Sequence, residues 1–409
     1  MSDLLKTAPK NMLYAVNGVL PIEVKGDLKR FDATVSSGFT GGGQNEARIP
    51  ISTMDSFLDV SKSYLYFQVV GATAAFTIDF TAGSFIDRLE IQSNGRTLWR
   101  GDRYALYHNI KKAYNSGLDQ LMELNNNEGS RGLVTQDTAA AYAQHTISQV
   151  GVAGLGQQVS SGHTKNYCLD LECGFFKNDH ARALPQGANI ELVIRFNPNN
   201  QAISAHTGAP TWTINNVRFY THAYTVLDAE AINFYDQMRK AGSVRWSGDY
   251  LKTYINSLPS AAATHTLQIN DRSLSANAMI TCIRENGFDA LGKLSNSCPC
   301  LAVNGGGVIT QYEYMIAGAP AVSASPIDVD TAADGELLGR AYEEAIKSLC
   351  DNGFSKSRSL VSASAFKGSK NDVDANKSLA LTIAKGVIAI NLKKMDDTNK
   401  VFKGVNTAA

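Results

Sequence analysis

Two glycine runs are the first places to look for chemistry, Gly41-Gly42-Gly43 and Gly305-Gly306-Gly307. A phosphate cradle needs glycines that bring backbone N–H groups onto the anion, either ahead of Lys-Ser/Thr or set as G-x-G-x-x-G. Neither run precedes Lys-Ser/Thr, and Glu46 and Thr310 stand where the last glycine belongs. Both runs read as loops. Asp328-x-Asp330-x-x-x-Asp334-Gly335 has the carboxylate density of a calcium loop. Such a loop would need Asp or Asn at Ala332 and Gly at Ala333, so Asp334 reads instead as a helix cap. His163, Cys168, Cys173 and His180 follow H-x4-C-x4-C-x6-H, which matches no standard zinc spacing. On one strand Cys168 and Cys173 would also face opposite sides, because their separation is odd. Cys298-Pro299-Cys300 sets two thiols in one loop with no histidine near in sequence. There is no G-x-S-x-G elbow and no H-E-x-x-H. The expected site set is therefore empty: no catalytic residue, no cofactor-binding residue, no metal ligand and no cofactor.

The bulk composition fits a building block. The 409 residues are 44% hydrophobic, enough for ordinary cores, and only 19% charged, against a usual ~25%. Interface cores are depleted in charge, so this surface is expected to face other protein. Formal net charge is zero and no Lys/Arg run exceeds two residues. A chain that coats nucleic acid neutralises phosphates with a basic patch, so direct sequence-specific nucleic-acid binding is not expected. The N-terminal stretch from Met1 to Lys10 has no apolar core of the secretory type, and no segment reaches the ~20 apolar residues of a membrane helix. The expectation is maturation inside a cell, with the six cysteines reduced.

The elements that would position any site are strands. Leu65, Phe67 and Val69 share a face. Phe76, Ile78 and Phe80 alternate with Ala75, Thr77 and Asp79, and Ile190, Leu192, Ile194 and Phe196 with Glu191, Val193 and Arg195. Val217, Phe219 and Thr221 begin another strand, and Leu379, Leu381 and Ile383 lead to a further pair after Lys385-Gly386. Period two of this kind buries one face and wets the other, the antiparallel sandwich pattern. The segment Leu89 to Leu98 predicts a hairpin turning at Asn94-Gly95, where positive φ is cheap. Helices are few. Asp102 is placed to cap one carrying Tyr104, Tyr107, Ile110 and Tyr114 inward; a second spans about Asp228 to Lys240. A third shares Leu337, Leu338, Ala341, Tyr342, Ala345 and Leu349 on one face and stops at Asn352-Gly353. Each half runs strands, helix, strands, with the Asp228–Lys240 helix as linker. The predicted division is an N-terminal arm over 1–25, a first jelly roll with its linker helix over 26–240, and a second jelly roll over 241–409. Long loops, Ser116 to Thr164 and Cys298 to Gln311, are expected to be contact surfaces.

One order of segments is more specific. Ser84 to Leu98 runs directly into a helix. Cys168-Leu169-Asp170-Leu171-Glu172-Cys173-Gly174-Phe175-Phe176 follows, then Ala183-Leu184-Pro185-Gln186-Gly187-Ala188-Asn189 before the strand Ile190–Phe196, then a strand from Trp212 to Thr225 and a helix after Leu227-Asp228. This order, over roughly Ile49 to Gln237, resembles the first jelly roll of double jelly-roll major capsid proteins. That family includes the capsid proteins of adenoviruses, large eukaryotic DNA viruses, virophages and tailless membrane-containing phages. The second half matches in strand order and length only, and its jelly roll is inferred from the size left over.

The resemblance implies an all-β fold of two tandem jelly-roll β-sandwiches with a few short helices. It implies a non-enzymatic capsid protein of the virion, assembled inside the host cell, forming homotrimeric pseudo-hexameric capsomers that tile an icosahedral shell. Partners would be its own copies and neighbouring capsomers, minor capsid or penton proteins, and an internal membrane where one exists. The N-terminal arm would lie outside the sandwich at the capsomer base. Two alternatives stand beside this reading: a jelly-roll glycan-active enzyme, and a carbohydrate- or receptor-binding spike.

Overall fold

The computed structural model describes residues 24–35, 37–41, 45–53, 56–117, 120, 123–130, 156–176, 183–184, 187–206, 209–226, 248–258, 264–283, 302–303, 307–321, 326–329, 339–349, 361, 366, 386–393 and 405–407. The first half of the chain forms twelve strands: β1 (Val24–Asp32), β2 (Glu46–Ser52), β3 (Phe57–Gly71), β4 (Phe76–Ile78), β5 (Ile86–Ser93), β6 (Arg96–Asp102), β7 (Gln158–Val159), β8 (Thr164–Leu169), β9 (Ala183–Leu184), β10 (Asn189–Phe196), β11 (Ile203–His206) and β12 (Trp212–Val226). A helix, α1 (Tyr104–Asn115), follows β6.

Strand pairing shows the architecture. One antiparallel sheet has the order β1-β12-β3-β8, with β9 also on β3, and a second has the order β2-β10-β5-β6. The pairs β5·β6, β3·β8, β2·β10 and β1·β12 are nested. The chain therefore behaves as one long hairpin, closed at the β5–β6 turn and rolled so that successive pairs fall alternately into the two sheets. That is the eight-strand, double Greek-key jelly roll. β4, β7 and β11 form a small three-stranded sheet at one end.

The alternation read from sequence orients these strands. Leu65, Phe67 and Val69 of β3 and Ile190, Leu192, Ile194 and Phe196 of β10 are buried between the sheets. Each such side chain contributes roughly 1.5–3 kcal/mol by leaving water. Aromatic rings close the middle of the core, with Phe85 edge-on to Trp212 at 5.2 Å and Phe67 6.2 Å from Phe85. The hairpin is present: Ser93 pairs with Arg96, and Asn94 and Gly95 both take positive φ (48° and 75°).

Several expectations need correction. Asp102 does not cap α1. It ends β6 and binds the Arg100 guanidinium, while the cap position is Arg103 in a left-handed conformation with no side-chain cap bond. Residues 76–79 do not alternate; all four are buried, because β4 is the central strand of the β11-β4-β7 sheet and has no wet face. Val24 and Lys25, assigned to the N-terminal arm, belong to β1; residues 1–23 lie outside the described residues. The Ser116–Thr164 loop is not all surface: 124–128 form a π-helical turn whose Glu128 is buried, and Gly156 pairs back to Ser130. Part of the Cys298–Gln311 loop is a small hairpin of β14 (Ala302–Val303) and β15 (Gly307–Val308).

In the second half the described residues form β13 (Ala278–Thr281), β16 (Gln311–Tyr312), β17 (Met315–Ile316), β18 (Ala319–Pro320), β19 (Ile327–Asp328), the helix α2 (Gly339–Leu349) and β20 (Ile388–Asn391). β20 pairs with β13, β16 with β19 and β17 with β18. α2 buries Ala341, Ala345, Ile346 and Leu349, the face expected from sequence with Ile346 added. The linker Asp228–Lys240, the strand residues Leu379, Leu381 and Ile383, and Leu337 and Leu338 lie outside the described residues.

Candidate functional site: a buried ionic cluster beneath the interlobe helix

The helix α1 is buried on two sides. Tyr104 belongs to the sandwich core, whereas Ile110, Ala113 and Tyr114 join Phe80 in a second core with Ile327, Val329, α2 and Val387–Ala389. Lys111 Nζ donates to the Leu349 carbonyl at 2.8 Å, giving a cation to the last turn of α2. Asn109 ties α1 to the turn before β5. Its amide donates to the Asp79 carbonyl (3.1 Å) and to Ser84 Oγ (2.9 Å), and its oxygen accepts from Thr81 Oγ1 (2.6 Å). The helix is thus the joint between the two lobes.

Under α1 lies a set of ionisable groups that the sequence did not announce. His108 and Lys112, one turn apart, point the same way. His108 Nε2 is 3.1 Å from Glu128 Oε2, and its Nδ1 is 3.4 Å from the Tyr104 hydroxyl. Lys112 Nζ lies 3.1 Å from Glu128, 3.0 Å from Asp170 and 3.5 Å from Glu172. The Tyr104 hydroxyl accepts from the Glu172 N–H at 2.8 Å. His108, Glu128, Glu172 and Lys112 are buried, and Asp170 reaches the surface. Burial works against the Lys112 ammonium, but the carboxylates of Glu128, Asp170 and Glu172 outweigh it and push its pKa well up. Burial likewise opposes ionisation of Glu128, but Lys112 and His108 beside it hold its carboxyl below the usual range. Burial first, and then the Glu172 charge, push the Tyr104 phenol well up.

The His108–Glu128 contact has the composition of an acid–base dyad. Its side chains are 0% and 4% exposed, so no substrate reaches them as they stand. What the arrangement does is mechanical and electrostatic. Glu128, at the start of the 117–163 segment, is held by α1, and Asp170 and Glu172, at the end of β8, are held by the same ammonium.

The motifs weighed in the sequence are not brought together. Cys168 lies on β8, partly buried, with burial raising its thiol pKa; Cys173 is buried after the strand; Cys168, Cys173 and Cys282 are thiols rather than disulfides. His163 precedes β8, and Asp328 accepts from Gln311 Nε2 at 3.0 Å. His180, Cys298, Cys300, Asp330, Asp334, Gly42-Gly43 and Gly305-Gly306 lie outside the described residues. No group of three or more His, Cys, Asp or Glu side chains is placed to hold a metal ion among the described residues, and none of their helices is long and apolar enough to cross a membrane. A shallow hollow of about 320 Å3 lies between Leu98, Trp99, Phe175, Ile190 and Tyr250 on the flank of β6.

A nested eight-strand sandwich, joined through a buried helix to a second β-rich lobe, is a jelly-roll protein with a further lobe. No family model matches the chain, and no curated protein matches it in sequence. Among solved structures, the PBCV-1 virus capsid is similar over 95% of this chain and 83% of that one, with a TM-score of 0.52 at 11% identity. The fold is therefore a double jelly roll, as in that capsid. The Faustovirus major capsid protein matches over 58% of this chain and 64% of its own, with a TM-score of 0.33 at 10% identity. PBCV-1 VP54, as fitted into a cryo-EM reconstruction of the virophage Sputnik, matches over 54% and 46%, with a TM-score of 0.31 at 13% identity, so this chain spans less than half of it.

Proposed function

We propose that this chain is a viral major capsid protein, a structural subunit without catalytic activity. Three copies form a pseudo-hexagonal capsomer, and capsomers tile an icosahedral shell in the virion after assembly in the host cell. The observation that carries the reading is the nested pairing β5·β6, β3·β8, β2·β10 and β1·β12 followed by a second lobe, in a chain similar to the PBCV-1 virus capsid along nearly its whole length. Two sandwiches per chain give three chains six corners of similar size, so a threefold unit fits a site with six neighbours. The first jelly roll runs to about residue 240 and the second from about 241 to 409. Neighbouring capsomers, minor capsid or penton proteins and, where the virion has one, an internal membrane are the further contacts. Zero net charge argues against a direct grip on the genome.

Native mass spectrometry of the purified chain at micromolar concentration tests the reading. Stable trimers or larger shells are expected. A strictly monomeric chain would overturn the proposal and return the glycan-active enzyme or the spike protein to consideration.

A further inference from the structure

Residues 248–258 and 264–274 carry no regular secondary structure and form a two-armed ribbon rooted on one flank of the first sandwich. Its root is well fixed. Trp99 Nε1 donates to the Asp249 carbonyl at 3.0 Å, and Thr253 Oγ1 to the Asp102 carbonyl at 3.2 Å, so the ribbon leaves beside β6. Asp271 pins its two arms together, accepting from Lys252 Nζ (2.7 Å), Tyr254 (3.0 Å), Ser273 (3.0 Å) and Thr407 (2.6 Å). Ser273 also exchanges bonds with Thr407, and Leu251 packs on the sandwich core. Among the described residues, no backbone–backbone hydrogen bond involves 250–272. Its large apolar side chains point to solvent: Ile255 is 73% exposed, Leu274 66%, and Tyr250, Tyr254, Leu267 and Ile269 between 41% and 54%. Their summed exposed area is on the order of 700 Å2, near the ~800 Å2 that each partner gives to a standard interface. The ribbon's charged residues are Asp249, Lys252, Asp271 and Arg272, and Lys252 is paired with Asp271.

The opposite flank is open as well. In the two sheets β6 and β8 stand at one end, and β1 and β2 at the other. The β1–β2 flank exposes Leu28 and Val35 and holds a hollow of about 370 Å3 lined by Thr34, Val35, Asn45, Glu46 and Arg48. A ribbon on one flank and a receptive edge on the other cannot meet within one chain. Between copies they give a head-to-tail contact, the kind that closes into a ring. We infer that the 250–274 ribbon docks on the β1–β2 flank of a second copy of this chain. The inference rests on the self-assembly reading and names the surfaces that carry it.

Two measurements on the full chain test it. In the assembled wild type, amide hydrogen exchange of 250–258 and 264–274 should slow at least tenfold relative to dilute monomer, and β1 should slow with them. The variants Ile255→Asp/Leu274→Asp and Val35→Asp should each keep the wild-type circular dichroism spectrum and shift assembly to at least tenfold higher concentration. Fast ribbon exchange in an assembled wild type would overturn the inference while leaving the capsid reading intact. So would normal assembly of the folded variants, or ribbon protection that appears only when another virion protein is added. A wild type that never assembles would overturn both. Should the variants fail to fold, the wild-type exchange experiment decides alone.

Discussion

Replacing Lys112 with methionine tests the ionic cluster directly. Methionine keeps most of the length and apolar stem of lysine and removes the ammonium. That ammonium lies 3.0–3.5 Å from three carboxylates, and Glu128 and Glu172 are buried. Removing one partner of a buried ionic set strands the others, at a cost of about 3–5 kcal/mol. For a chain of this size, 1 kcal/mol is worth roughly 2 °C, so the melting temperature at pH 7 should fall by about 6–10 °C. The pH dependence carries more information than the size. In the wild type the Glu128 carboxyl is held below its usual value, so its contribution is present at neutral pH and is lost as pH falls through that lowered pKa. In Lys112→Met the same carboxyl keeps its burial and loses its main cation, so its pKa rises and acid relieves the repulsion. Scanning calorimetry of both proteins should therefore show a gap that is widest near pH 7 and narrows below about pH 4–5, where carboxylates take up protons. A melting temperature within 1 °C of wild type at pH 7, or a gap that widens in acid, would refute the claim that this ammonium balances the carboxylates.

The remaining predictions concern packing and turns. In Gly83→Ala the added methyl would overlap the His108 ring, so a loss of about 1–3 kcal/mol is expected in urea denaturation, with α1 shifted. Gly95→Ala forces a β-carbon onto a φ of 75° in the β5–β6 hairpin and should cost about 1 kcal/mol, read by the same assay. Lys111→Met removes the cation from the last turn of α2 and should cost about 0.3–1 kcal/mol, seen as faster amide exchange at residues 346–349 with little change at β10.

The central strands were legible because their core-facing apolar residues recur at every second position, even where the other face is partly covered, as at Val193. β10 alternates through Ile190, Leu192, Ile194 and Phe196, and the β5–β6 turn carries the Asn-Gly pair that a two-residue hairpin favours. β1 was not legible. Its sequence Val-Lys-Gly-Asp-Leu-Lys-Arg-Phe-Asp is charged along most of its length, which suits an edge strand that must not recruit a wrong partner but erases the period-two signal. β4 failed for the opposite reason: it is covered on all sides, so polar Thr77 and Asp79 are buried with their apolar neighbours. In the second lobe, several described ladders are only two residues long, as at β16·β19 and β17·β18. A pair of residues carries no period, and there the sequence offered only length and order.

The ionic cluster was invisible for a physical reason. Pattern reading takes a charged residue to face water, because an unpaired buried charge is too costly to keep. That cost is met here by groups far apart in sequence. His108 and Lys112 come from α1, Glu128 from the turn some twenty residues on, and Asp170 and Glu172 from the end of β8. No local window contains them all. They meet because β8 pairs with β3, ending the strand at Leu169 opposite Leu65, while the chain leaving β6 turns through Arg103 directly into α1 at the same end of the sandwich. The nested pairing that makes the jelly roll thus also assembles the cluster, and a change that shifted the β3·β8 register by two residues would separate Asp170 from Lys112 without altering a single charged side chain.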